Sequence, residues 1–155
     1  MKPEGKEREK WLALLQGVQF FNGFSKKDLE RILDAGEVVR YDLHQYVVNE
    51  NEIDLSFFVL LKGTAKVIKM GALQKKREVN TIAQGDCFGE MGMLLQEPRT
   101  ASILAAGECF IFRITSNAME SMPESTRANV YKLFSVSLAR KLKNATEQLL
   151  NAFQY

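Results

Sequence analysis

GDCFGEMGMLLQEPRTAS, residues 85–102, is the stretch on which the reading of this chain turns. A glycine beside an acid, Gly89-Glu90, opens a segment whose backbone can approach a ligand closely. The short apolar run from Met91 to Leu95 forms one or two helical turns. Pro98 then stiffens the chain before Arg99-Thr100, a fixed cation next to a hydroxyl donor. Arginine presents a planar fork of donors matched to phosphate oxygens, and amides at a helix start favour an anion. One carboxylate and one guanidinium, nine residues apart with a small helix between, can grip opposite sides of one small ligand. Glu90 would accept from hydroxyls and Arg99 would donate to a phosphate. The competing reading is a surface ion pair beside a tight turn, which is a common and weak arrangement.

Around this stretch the chain changes texture twice. Trp11, Leu12, Leu14, Leu15 and Val18 predict a short amphipathic helix behind a charged decapeptide that is a solvated helix start or a frayed tail. Phe20-Phe21-Asn22-Gly23-Phe24 breaks it. Ser25 caps a second helix with Asp28 in its first turn, Leu29, Ile32 and Leu33 as its buried stripe, and Gly36 at its end. Short segments rich in β-branched and aromatic residues follow: 38–41, 46–48, 57–61, 65–70, 79–82, 101–105 and 110–114, each bounded by Gly, Asn, Asp or Lys. That spacing predicts an antiparallel sandwich or barrel rather than alternating βα units. Gly63 sits where one strand turns into the next. Gly71 begins a loop to Val79 whose Lys75-Lys76-Arg77 triplet reads as a solvated hairpin tip.

Residues 117–122 predict a short helix or turn, and Pro123 suits the start of another helix. From Glu124 onward Val130, Phe134, Leu138, Leu142, Ala145, Leu149 and Phe153 recur every three or four residues. This is a long amphipathic helix with Arg140, Lys141 and Lys143 on its polar side. Its apolar stripe either covers the strands or, over residues 138–149, also meets a second copy of itself in a homodimer.

The ordered string FGEMGMLLQEPRTAS resembles the phosphate-binding cassette of the cyclic nucleotide-binding domain family, to which catabolite activators and cAMP-dependent kinase regulatory subunits belong. SFFVLLKGTAKV, around Gly63, resembles the family's paired strands, and IAQGDCFGE resembles the approach to the cassette. The likeness runs from about Leu15 to the C-terminal helix. It departs at two turns, where Asn51 stands in place of a glycine before Glu52, and His44-Gln45 replaces a glycine-containing turn. Asparagine tolerates left-handed geometry better than most residues, so the first turn is expected to survive.

The resemblance implies a mainly β fold, an antiparallel double-stranded β-helix (jelly roll) with N-terminal helices and a long C-terminal helix. It implies a single domain over residues 1–155, divided into N-terminal helices at 1–36, a β-roll at 37–115 holding the cassette at 85–102, and C-terminal helices at 116–155. The implied ligand is a 3′,5′-cyclic nucleotide, cAMP favoured over cGMP, although Thr100 is also suited to cGMP. Arg99, helped by Thr100, would take the phosphate. Glu90 would accept from the ribose 2′-hydroxyl, with the backbone at Gly89 and Met91 close to the sugar. Val67 and Val79 would supply apolar walls. The C-terminal helix would lie over the base, with Ala145 and Thr146 against its edge, and would move when ligand binds.

Size and composition agree with such a module. The chain has 155 residues and a net charge of +2, which gives no reason to expect nucleic acid or an anionic membrane as main partner. Cys87 and Cys109 lack metal-ligand spacing and fit a reduced cytoplasmic setting. No apolar run approaches membrane-spanning length, and the N-terminus has no signal-like core. His44, the only histidine, cannot build a metal site alone. No nucleophile–base pair is visible either, so the sequence predicts no enzyme and no cofactor beyond the ligand. No recognition helix follows the long helix, so direct DNA binding is not expected. Three roles stay open: a stand-alone sensor, an interaction module that binds no nucleotide, or a regulatory piece of a larger kinase, channel or transporter. The starting methionine and the N-terminal helix weigh against an excised piece.

Overall fold

The computed structural model describes residues 4–154. Helix α1 (Gly5–Gln16) buries Trp11, Leu12 and Leu15, one face of a helical period, and ends at Gly17. Helix α2 (Lys26–Ala35) starts where Ser25 Oγ accepts from the Asp28 amide at 3.1 Å, satisfying a donor that no intrahelical carbonyl can reach. Leu29, Ile32 and Leu33 face inward as expected.

Eight strands follow: β1 (Glu37–Tyr41), β2 (Tyr46–Val48), β3 (Ser56–Lys62), β4 (Ala65–Met70), β5 (Lys76–Ile82), β6 (Cys87–Phe88), β7 (Ser102–Ala105) and β8 (Cys109–Thr115). Helix α3 (Glu90–Leu95) lies between β6 and β7, and α4 (Ser116–Ser121) and α5 (Glu124–Ala152) close the chain. The strands form two four-stranded antiparallel sheets, ordered β1-β8-β3-β6 and β2-β7-β4-β5. This is the mainly β roll with flanking helices that the sequence implies.

Strand β3 shows why the roll holds together. Six of its seven residues are buried, because the two faces of the strand are covered by different layers. Phe57, Val59 and Leu61 belong to the cluster with Trp11, Leu15, Leu33 and Phe134 from the helices. Phe58 and Leu60 alternate with them and pack between the sheets with Ala65, Ile103 and Ile111, as the period of two requires. Phe134 of α5 meets Phe57 at 4.7 Å between ring centroids, and Phe20 at 6.0 Å, which fixes where α5 crosses the roll.

Three local features differ from or sharpen the sequence reading. Strand β5 starts at Lys76, so Lys76 and Arg77 pair with Met70 and Lys69 in the ladder, and the tip lies before them. Backbone hydrogen bonding recruits these polar residues where side-chain type gives no strand signal. The two departures from family pattern, Asn51 and His44, both hold left-handed backbone at φ 69° and 67°, so both turns keep their geometry without glycine. Finally, α5 is buried only at Thr126, Val130 and Phe134. Leu142, Leu149, Leu150 and Phe153 are exposed, so this part of the stripe does not cover the roll. No helix among the described residues is long and apolar enough to cross a membrane.

Gly63 is the turn residue that admits no side chain. Its φ is +100°, and a Cβ there would stand 2.4 Å from the Glu108 carbonyl oxygen. Gly63→Ala is therefore expected to destabilise the fold by about 2–4 kcal/mol, combining left-handed strain with overpacking. Urea denaturation should show the midpoint falling, and an unchanged midpoint would contradict this account of the turn.

Candidate ligand-binding site

The site is built from the backbone outward. Gly89 leaves β6 with φ +89°, and a Cβ on it would come 2.8 Å from the Ser56 carbonyl oxygen, so only glycine lets α3 start this close to β3. Gln96 closes α3 in left-handed geometry and turns the chain toward Pro98. The Arg99 amide donates to the Glu52 carbonyl and the Asn51 amide donates to the Arg99 carbonyl, both at 2.8 Å. This exchange pins Arg99 against the loop before β3 and brings Asp54 near it.

The Arg99 side chain is 7% exposed. Nη1 donates to the Gly89 carbonyl at 2.9 Å and Nη2 to the Ser56 carbonyl at 2.6 Å. Asp54 stands 3.7 Å away, and the guanidinium lies over the Phe58 ring. Burial lowers the pKa of the guanidinium from the ordinary arginine value, and Asp54 partly offsets that. Nε is buried and finds no acceptor among the described residues. Buried donors are normally satisfied, so this orphaned N–H is the feature of the site that most calls for an anionic oxygen.

Glu90, at the first position of α3, is 3% exposed. Its Oε1 accepts from Nζ of Lys141, which reaches across from α5. Glu90 and Arg99 therefore neither face bulk water nor neutralise each other, which disposes of the surface-pair reading. Both line one cavity of about 300 Å³, walled by Val48, Phe58, Phe88 and Ile103. A larger cavity of about 670 Å³ adjoins it, sharing Val67, Phe88, Ile103 and Lys141 and bounded by Ser137 and Arg140 of α5.

The smaller cavity gathers Val67, Gly89, Glu90, Met91, Arg99 and Thr100 of the expected set. Three others are elsewhere. Val79 falls at an irregularity in the β4–β5 ladder, where Val67 faces Asn80 and Ile68 faces Glu78, and its side chain is exposed. Such a bulge re-aims a residue away from the face that simple alternation assigns it. Ala145 and Thr146 are exposed on α5, and the Thr146 hydroxyl donates to the Leu142 carbonyl at 2.9 Å. The helix meets the larger cavity earlier, between Leu133 and Lys141, and the smaller one at Lys141.

Sequence reasoning missed Asp54, Gly92 and Lys141. A Cβ on Gly92 would lie 2.4 Å from Arg99 Nη1, and the second glycine of GEMG was the available signal. Among the described residues no three His, Cys, Asp or Glu side chains converge as metal ligands. Cys87 borders the larger cavity, and burial raises its thiol pKa well above the ordinary range, with Glu90 adding to the effect. Cys87 should therefore alkylate slowly with iodoacetamide at pH 8 in the folded protein. Modification as fast as that of the urea-unfolded chain, followed by intact mass, would contradict the raised thiol pKa.

Comparison with known proteins gives the family and the fold. Residues 38–126 fit the family described as the cyclic nucleotide-binding domain. The human cGMP-dependent protein kinase 2 is 30% identical over 98 residues, which is 63% of this chain and 13% of that kinase. The regulatory domain of Toxoplasma gondii PKA, solved with cAMP, superposes with a TM-score of 0.71 at 25% identity, over 84% of this chain and 50% of that one. The Thermus thermophilus catabolite activator protein, at 18% identity, shares the fold with a TM-score of 0.78 over 86% of this chain and 63% of its own. The chain thus spans only a small part of its kinase relative.

Proposed function

Because the chain belongs to the cyclic nucleotide-binding domain family, we propose that its smaller cavity takes a 3′,5′-cyclic nucleotide and that the chain works as a regulatory sensor rather than as an enzyme. The observation that carries this reading is the buried Arg99, whose Nε–H lacks an acceptor in a cavity that also holds a buried carboxylate. The phosphate would satisfy that donor, with the Thr100 hydroxyl beside it. The ribose 2′-hydroxyl would donate to Glu90, and the sugar would pass close to Gly89 and Met91. Hydrogen bonds to charged groups contribute about 1.5–3 kcal/mol each. Two or three of them with base burial give about −8 kcal/mol, which is micromolar binding.

We propose cAMP over cGMP. Val67 and Ile103 link the two cavities, and a base laid on these apolar walls must leave few polar groups unpaired. Guanine brings more of them than adenine, and each unpaired group is costly. Denaturing the purified protein and identifying released nucleotide by absorbance and mass tests the class. Release of a linear nucleotide or dinucleotide in stoichiometric amount would count against it.

The output would be movement of α5. Its distal half is exposed, and ligand shifts its position only by the preference it has for one arrangement. A homodimer through Leu142, Leu149, Leu150 and Phe153 would bury this exposed stripe. Sedimentation at micromolar concentration should then show a dimer, and Leu142→Glu should return it to monomer. A monomer at all concentrations would remove this part of the proposal.

A further inference from the structure

Lys141 carries an ion pair from α5 to the cassette, and it lands on a carboxylate that is 3% exposed. Its own side chain is half exposed, at 52%, while Glu90 is at 3%. Lys141 also borders both cavities, so its ammonium stands where they meet. Among the described residues no other cation contacts Glu90, and no donor reaches its Oε2.

Two physical consequences follow. A carboxylate is planar, so fixing Oε1 with an ammonium sets the direction in which Oε2 presents its lone pairs. The second is charge. Asp54 stands 3.7 Å from Arg99 and 3.9 Å from Arg113, and Lys141 is the cation in contact with Glu90, so its removal would leave the Glu90 carboxylate without a contacting cation before any phosphate entered. Like charges at this range disfavour the anion. A buried carboxylate stripped of its partner would also draw water, which competes for the same lone pairs.

We infer that Lys141 is a positioning residue for the ligand: it holds Glu90 oriented so that Oε2 meets the sugar hydroxyl. The inference rests on the cyclic nucleotide reading and adds to it a residue on α5 that ties sugar recognition to the place of that helix. Lys141 and the hydroxyl share the carboxylate, one oxygen each, and do not compete.

The test compares cAMP with 2′-deoxy-cAMP on the parent, Lys141→Met and Lys141→Arg by calorimetric titration, with thermal melting to confirm folding. The parent should prefer the ribo ligand by about thirtyfold, the size of one hydrogen bond to a charged group. Lys141→Met should reduce that preference to about threefold, losing mostly ribo affinity, and Lys141→Arg should restore it. Equal losses for both ligands would reduce Lys141 to a structural role and overturn the inference. Tighter ribo binding by Lys141→Met would make Lys141 a competitor and overturn it too. A parent that binds neither ligand, nor cGMP, would overturn the underlying reading instead, so the two failures are distinguishable.

Discussion

Arg99→Ala is expected to bind no cyclic nucleotide detectable by calorimetry, a loss of at least about a hundredfold from the removal of the charged donors alone. The same side chain braces the fold. Its loss leaves the Ser56 and Gly89 carbonyls without their donors and leaves Asp54 with the Arg113 guanidinium alone, at 3.9 Å. A destabilisation of about 1–3 kcal/mol is expected for such orphaned groups, so the variant should melt earlier yet remain folded. Arg99→Lys separates the two roles. It keeps the charge but not the planar fork, so it should recover stability better than affinity. Binding by Arg99→Ala within a few-fold of the parent would contradict the phosphate role.

Gly92→Ala should be the second most damaging change. The added Cβ would stand 2.4 Å from Arg99 Nη1 and 2.7 Å from Cζ, so the guanidinium must leave its seat between α3 and β3. A flexible side-chain end moves at little cost where it is free, but this one is buried and held by two carbonyls. Affinity is expected to fall by about thirtyfold or more, equivalent to about 2 kcal/mol. Stability should fall less than in Arg99→Ala, because alanine favours the helix by about 1 kcal/mol over glycine and offsets part of the cost of freeing the same two carbonyls. A titration of Gly92→Ala that matches the parent would show that the arginine seat is not what organises the cavity.

These two residues also show what could be read from the chain before folding. Arg99 was legible because it stands in one continuous ordered string, from Phe88 to Ser102, that resembles the family cassette; the glycine, short apolar run and proline alone left a surface ion pair open. The turn at Asn51 was legible because asparagine tolerates the left-handed backbone that it adopts. Gly92 lies inside that string, but its purpose depends on the arginine folding back over α3, which no local rule states. Asp54 is an ordinary loop acid until the backbone exchange between Asn51 and Arg99 carries it to the guanidinium.

The C-terminal helix was legible in type and length but not in placement. Periodicity told which side chains share a face. It could not tell where that face leaves the roll, because the crossing point is set by Phe134 against Phe57 and Phe20, which are far apart in sequence. Ala145 and Thr146 therefore lie beyond the contact, and Lys141, on the nominally polar side, makes it. Val79 was placed on the wall by the family resemblance; in the structure it falls at an irregularity in the β4–β5 ladder and is exposed.

The most direct measurement of the central claim is calorimetric titration of protein that has been unfolded, freed of any bound small molecule and refolded. With cAMP, one site per chain and micromolar or tighter affinity are predicted, with weaker binding of cGMP and none of linear AMP. Absence of saturation by either cyclic nucleotide at millimolar concentration, from protein with a parent-like melting transition, would contradict the account.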